Sequence, residues 1–272
     1  MKRDQTLFML AMVSVIAIVV AGCAAKGAGG TAGGAKAVEP AMSSQTAATD
    51  ERQRAKVHTE LGQMYLRDRR FEVALEEAKT AIETDSSYAP AFDLLGLIYL
   101  TLRQNDQAET NFQQALRLAP NDPEINNDFG WFLCQTGKIK DSFAYFSLAL
   151  RNPLFQSPAK ALANAGVCAL MDKDDVNGES YLFRALKLDP NNMRAYYLLA
   201  DIGYRNRRYD DARDWLKQLH AKMEPTAETA WLALRIDRKL GDRDGEARYV
   251  GLLRRKFRDA SEYQQMLRGE YD

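Results

Sequence analysis

Residues Ala89–Asp122 read APAFDLLGLIYLTLRQNDQAETNFQQALRLAPND. Apolar residues recur at helical spacing up to Leu102, break around Asn105, and recur again until Leu118. That pattern predicts two antiparallel helices joined by a short turn. Gly96 and Ala108 are small enough to let the two helices approach closely, and Pro120 stops the second one. One such hairpin cannot bury its apolar face alone. The fold therefore depends on whether the neighbours repeat it.

They do. The small residues Gly62, Gly96, Gly130, Gly166 and Ala200 follow one another at spacings of 34, 34, 36 and 34. Within 89–122, Leu95, Gly96, Tyr99, Ala108, Phe112, Ala115 and Pro120 occupy unit positions 7, 8, 11, 20, 24, 27 and 32. This set resembles the tetratricopeptide pattern at each diagnostic place. The resemblance implies an all-α solenoid, a right-handed superhelix of about six helix pairs plus a short C-terminal helix. The units are 55–88, 89–122, 123–156, 159–192 and 193–226, followed by a degenerate pair at 227–257 and a capping segment at 258–272. Unit 55–88 has Ala78 where a large residue is usual, and a two-residue insertion near Asn152–Pro158 breaks the period. The final helix is expected at about Ser261–Leu267 and should cover the last open face.

The N-terminus carries a different signal. Lys2 and Arg3 precede an almost wholly apolar run of 14 residues, Leu7–Val20. Such a helix covers about 21 Å, short of the ~30 Å hydrocarbon core, and has the form of a secretory signal. Val20-Ala21-Gly22-Cys23 resembles a bacterial lipobox, which implies a signal peptide at 1–22 and a lipid attached to Cys23; an uncleaved anchor helix is the alternative. Residues 23–50 then form a Gly/Ala-rich tether with too little apolar surface to fold, spanning about 25–30 Å. Ala24 in place of Asp after the cysteine implies, by the same resemblance, delivery to the outer membrane.

Composition excludes some functions. Removing residues 1–22 takes Lys2, Arg3 and Asp4 and leaves 35 basic and 36 acidic side chains. A chain this close to neutral has no electrostatic case for nucleic acid or anionic lipid, so membrane attachment falls to the acyl chains. Catalysis also finds little support. His58 and His220 have no acidic or thiol partner at useful spacing, and Asp174-Asp175 and Asp210-Asp211 read as helix starts rather than a metal site. No cofactor, metal or small-molecule substrate is expected, and the chain reads as a non-enzyme.

A repeat array of this kind binds through the inner face lined by its first helices. Unit positions 2, 5, 9, 12 and 13 fall there, among them Leu66, Leu97, Leu100, Asn127 and Trp131. Leu66, Leu97, Leu100 and Trp131 are apolar side chains that stacking does not obviously require, and are read as an apolar trough for a partner segment. The alternative for Trp131 is packing into its own repeat. Cys134 and Cys168 lie on adjacent first helices, whose axes pack about 8–10 Å apart. Inward-leaning positions there just reach disulfide range; two buried free thiols remain the alternative.

Taken with the architecture, NNDFGWFLCQTGK (Asn126–Lys138), NAGVCALMDKDDVNGESYLFRALKLDPNN (Asn164–Asn192) and SEYQQML (Ser261–Leu267) resemble the PilF/PilW lipoproteins of type IV pilus biogenesis. That resemblance implies an outer-membrane lipoprotein facing the periplasm, a pilotin that binds a PilQ-like pilus secretin subunit and promotes its localisation, oligomerisation or stability. A general envelope scaffold for peptidoglycan or outer-membrane assembly enzymes uses the same fold and is the alternative.

Overall fold

The computed structural model describes residues 49–271. Cys23, the signal peptide and most of the tether lie outside them. Among the described residues there are thirteen helices and no strand. The first helices of the six pairs are α1 (Asp50–Arg67), α3 (Ala89–Thr101), α5 (Pro123–Gln135), α7 (Pro158–Met171), α9 (Met193–Arg205) and α11 (Ala227–Leu240). Their partners are α2 (Phe71–Thr84), α4 (Asn105–Leu118), α6 (Ile139–Arg151), α8 (Asp175–Leu188), α10 (Tyr209–His220) and α12 (Arg243–Lys256). Each second helix packs on its own first helix and on the first helix of the next pair, as a solenoid requires.

Small residues set the distance between paired helices. A Cβ added at Gly96 would sit 2.8 Å from the Phe112 ring, and one at Gly166 would sit 2.8 Å from Leu182 Cγ. Both pairs join unit positions 8 and 24, so the large residue of the second helix fills the space the glycine leaves. The first pair has Ala78 at position 24, and there the next repeat substitutes: Leu94 Cδ2 would meet the Gly62 Cβ at 2.6 Å. Phe112 is fully buried and continues into an aromatic cluster, its ring centroid 5.4 Å from Phe132 and 6.0 Å from Phe129.

The turns inside the pairs share one geometry. Unit position 15 has positive φ in all six: Arg69 (60°), Arg103 (59°), Gly137 (87°), Lys173 (62°), Arg207 (60°) and Gly241 (74°). The next residue donates its N–H five residues back, at 2.8–2.9 Å, from Arg70 to Tyr65 O through Asp242 to Asp237 O. This is the six-to-one bond of a Schellman termination. Four of the six turns thus hold a residue with a Cβ in a region that glycine occupies more readily.

One boundary differs from expectation. The first helix begins at Asp50, inside the segment read as tether, because Thr49 accepts from the Arg52 N–H and Asp50 and Glu51 favour the helix N-terminus. The insertion at 152–157 does not loop out freely: Phe155 is buried between Ala149 and Ala161. At the other end, α13 (Ser261–Arg268) lies where the sequence placed it, and its Met266 is buried with Trp231, Leu234 and Leu253.

The turn geometry makes a prediction. Arg103→Gly removes a Cβ from a left-handed position, a conformation costing about 1–2 kcal/mol, while adding unfolded-state entropy. A net gain of up to about 1 kcal/mol is expected, read as a higher urea midpoint. Gly137→Ala should lower that midpoint by a comparable amount.

Candidate functional site

The inner face is built by the first helices, and a cleft of about 510 Å³ lies across α1, α3, α5 and the start of α7. Gln63, Leu66 and Arg67 line it from α1, and Pro90, Asp93 and Leu97 from α3. Asp122, Glu124, Ile125 and Asp128 contribute from the α5 end, with Ser157 and Lys160 closing it. Leu66 and Leu97 are therefore brought together as the sequence indicated. The carboxylates beside them were not anticipated.

The trough itself is less free than expected. Leu66 packs against the cluster of Ala74, Ala78, Leu94, Leu95 and Ile98. Leu97 and Leu100 pack against that of Ala108, Phe112, Phe129, Phe132 and Leu133. Trp131 packs against Cys134 and Phe146 of its own repeat and against Ala165 and Cys168 of the next. All four side chains are half-buried, and stacking does use them. Asn127 is fully buried and offers no surface. Its Nδ2 donates to Asp128 Oδ1 at 2.7 Å, and its Oδ1 accepts from Asn164 Nδ2 at 3.2 Å. It supports the floor of the face and does not contact a partner directly, because position 5 of this unit is covered by the neighbouring first helix.

The acidic residues are individually constrained. Asp122 caps α5, its Oδ1 accepting from the Glu124 and Ile125 N–H groups at 2.9 and 3.2 Å. Ser157 Oγ donates to Glu124 Oε1 at 2.7 Å, and Lys160 Nζ pairs with Asp128 Oδ1 at 2.8 Å. Burial raises the Glu124 pKa, and the Ser157 hydrogen bond only partly offsets it. Burial works against the Lys160 charge, but the Asp128, Glu124 and Asp93 carboxylates outweigh it and raise its pKa. Asp93 is 6% exposed, and its Oδ1 has no hydrogen-bond partner. Burial, followed by the Asp128 charge, pushes its carboxyl well above the usual range.

At the far end the same face is covered by the chain itself. The Tyr271 carbonyl accepts from Tyr204 Oη and from Arg235 Nε, both at 3.1 Å. The Tyr271 ring lies 5.3 Å from Trp231, with Arg238 4.1 Å above it. The C-terminus thus covers the Tyr204 end of α9 and the Trp231–Arg238 stretch of α11, away from the cleft.

The histidines correct one expectation. His58 does have an acidic partner, Glu77 Oε2 at 2.7 Å, supplied by α2 rather than by sequence neighbours. His220 contacts Thr229 Oγ1 at 3.0 Å and Tyr249 Oη at 3.3 Å. Asp174 caps α8 as read from sequence, accepting from the Asn177 N–H. Among the described residues no helix is long and apolar enough to cross a membrane.

Six stacked hairpins with small residues at the helix crossings define a tetratricopeptide-repeat protein. Tetratricopeptide-repeat family profiles match residues 89–122 and 177–223. Among solved structures, PilW, a widely conserved type IV pilus biogenesis factor, is 30% identical; the alignment covers 78% of this chain and 98% of that one, with a TM-score of 0.73. The type IV pilus assembly protein PilF of Pseudomonas aeruginosa is 24% identical over 208 residues, covering 76% of this chain and 82% of the relative. The solved PilF structure shares the fold at 23% identity and a TM-score of 0.73, covering 81% of this chain and 100% of that one. The chain belongs to the PilF/PilW family.

Cys134 and Cys168 are both fully buried, with Cα atoms 5.9 Å apart and sulfurs at 2.11 Å. Disulfides form with Cα atoms within about 7 Å, and we propose that this pair is bridged in an oxidising compartment. Non-reducing peptide mass spectrometry should find the two cysteines linked. At a sequence separation of 34, reduction is expected to remove roughly 3–4 kcal/mol of stability. Two alkylatable thiols in protein isolated from such a compartment would remove the bridge.

Proposed function

We propose that the chain acts in type IV pilus biogenesis as a non-catalytic, lipid-anchored binding protein: a pilotin. It holds a segment of the pilus secretin subunit on the inner face of its first four repeats and promotes localisation, oligomerisation or stability of the secretin. Cys23 carries the lipid and places the protein at the outer membrane, facing the periplasm. The observation that carries this reading is the open cleft across four successive first helices. It belongs to a fold aligned over nearly the whole length of a pilus biogenesis factor at 30% identity.

The arrangement suits binding. An array of paired helices presents a rigid surface at little reorganisation cost, and an extended segment lying along it meets apolar and polar positions in turn. Leu66 and Leu97 are the apolar contacts in the cleft; Leu100 and Trp131 continue the surface toward the fourth repeat.

Two experiments test the reading. Cys23→Ser should abolish palmitate labelling and outer-membrane sorting; a variant that still sorts there ends the lipid-anchor proposal. Leu66→Lys and Leu97→Lys should reduce heat-resistant secretin multimers in cells, with binding weakened by about 2 kcal/mol or more. Melting curves provide the control. Leu95, 6% exposed, is a core residue whose truncation to alanine costs about 2–5 kcal/mol of stability. Folded, lipidated groove variants with normal multimers would show that the secretin is not held on this face.

A further inference from the structure

The cleft holds a charge imbalance that its packing does not resolve. Four carboxylates line it (Asp93, Asp122, Glu124 and Asp128) against the two cations Arg67 and Lys160. Three of the four are accounted for: Asp122 caps α5, Glu124 accepts from Ser157, and Asp128 pairs with Lys160. Asp93 is different. It is more than nine-tenths buried, lines the cleft, and has an oxygen that accepts from nothing. A buried acceptor without a donor has given up its hydrogen bonds to water and gained none in return, a larger loss when the group is charged.

We infer that the Asp93 cleft is a specificity pocket for a basic side chain of the bound partner segment. The ligand is an extended peptide with an arginine or lysine between apolar residues. Its cationic head donates to Asp93 Oδ1, and its aliphatic stem lies between Leu66 and Leu97 at the mouth. The inference rests on the inner face being the binding surface and refines which chemistry that surface selects.

Three observations converge on it. The missing partner of Asp93 is a hydrogen-bond donor, which a guanidinium or ammonium supplies and an apolar or acidic side chain does not. The carboxylates exceed the cations, so an entering positive charge is favoured and an entering negative one is opposed. Lys160, half of whose side chain is solvent-exposed, already shows the preference: the surrounding carboxylates hold its ammonium charged despite partial burial. Burial and the Asp128 charge also favour a protonated Asp93, which still leaves three carboxylates against two cations, and an arriving cation reverses that protonation by giving the carboxylate a partner.

The test uses the purified full chain and two peptides that differ only in charge. These are N-acetyl-Ser-Leu-Arg-Leu-Ser-amide and the same peptide with citrulline, a neutral isostere of arginine. Isothermal titration should show the arginine peptide binding at least about tenfold more tightly, the difference expected for one charge-assisted hydrogen bond. Asp93→Asn should abolish that preference, bringing the affinities of the two peptides together. Lys160→Met, which removes the resident cation, should tighten arginine binding several-fold. A lysine peptide should retain the advantage over its norleucine counterpart.

Equal binding of the arginine and citrulline peptides overturns the inference, and so does no measurable binding of either peptide. An arginine preference that survives Asp93→Asn in a chain with a wild-type melting curve also overturns it. The assay contains no secretin and so separates the two readings. A preserved arginine preference alongside normal secretin multimers in groove variants would refute the partner and leave the pocket. Lost multimers without an arginine preference would do the reverse.

Discussion

The structure depends on a single steric relation, the contact between unit position 8 of a first helix and the large side chain that covers it. At Gly96 the Phe112 ring lies where a Cβ would have to go, and at Gly166 Leu182 does so. Interiors are packed at crystal-like density, so a gap of one methylene between helices is felt throughout the interface. Close pairing brings second helices within reach of the next first helix, and that second contact converts hairpins into an array. Where the pattern lapses, at Ala78, Leu94 of the following repeat moves into the space. A neighbour has replaced a missing side chain without a change in architecture.

The inner face inherits its properties from that stacking. First helices packed side by side leave little room between positions 2, 5 and 9. Large side chains there are partly consumed by the core, and polar ones are forced into contact with one another. Asn127, Asp128, Asn164 and Lys160 form such a chain of contacts across two repeats. Asp93 stands one repeat away without a donor for one oxygen. An array assembled only for stability would favour an apolar residue at that place, since buried polar groups are worth keeping mainly when satisfied. The cleft is therefore the point where stability and binding requirements diverge most clearly.

The two ends of the solenoid are finished differently. At the start, Thr49 and the acidic first turn extend α1 beyond the repeat unit. At the end, α13 covers the apolar residues of the sixth pair, and Tyr271 turns back onto Tyr204, Arg235 and Trp231. Terminal repeats lack a neighbour on one side, and covering their exposed apolar surface is a general requirement of such arrays. Here the covering also occupies the inner face at Tyr204 and Arg235.

Much of this was legible in the sequence because it is local. The period near 34, the small residues at positions 8 and 20, and the proline stops are short-range consequences of how one hairpin closes, so the fold class, the pairing and the final helix followed from them. So did Leu66 and Leu97 as residues of the inner face. The tertiary structure decided what depends on contacts between one helix and another. Successive helices pack on the first helices, so Trp131 and Leu100 are half-buried and Asn127 is inaccessible. Glu77 reaches His58 only after α2 folds back on α1. Asp93, unremarkable in the run APAFDLLG, becomes the unpartnered carboxylate of a cleft because Leu66 of α1, Ile125 and Asp128 of α5 and Lys160 of α7 are brought around it by three other helices. Helical periodicity records which face a residue occupies, whereas its burial and its partners are set by the distance between helices.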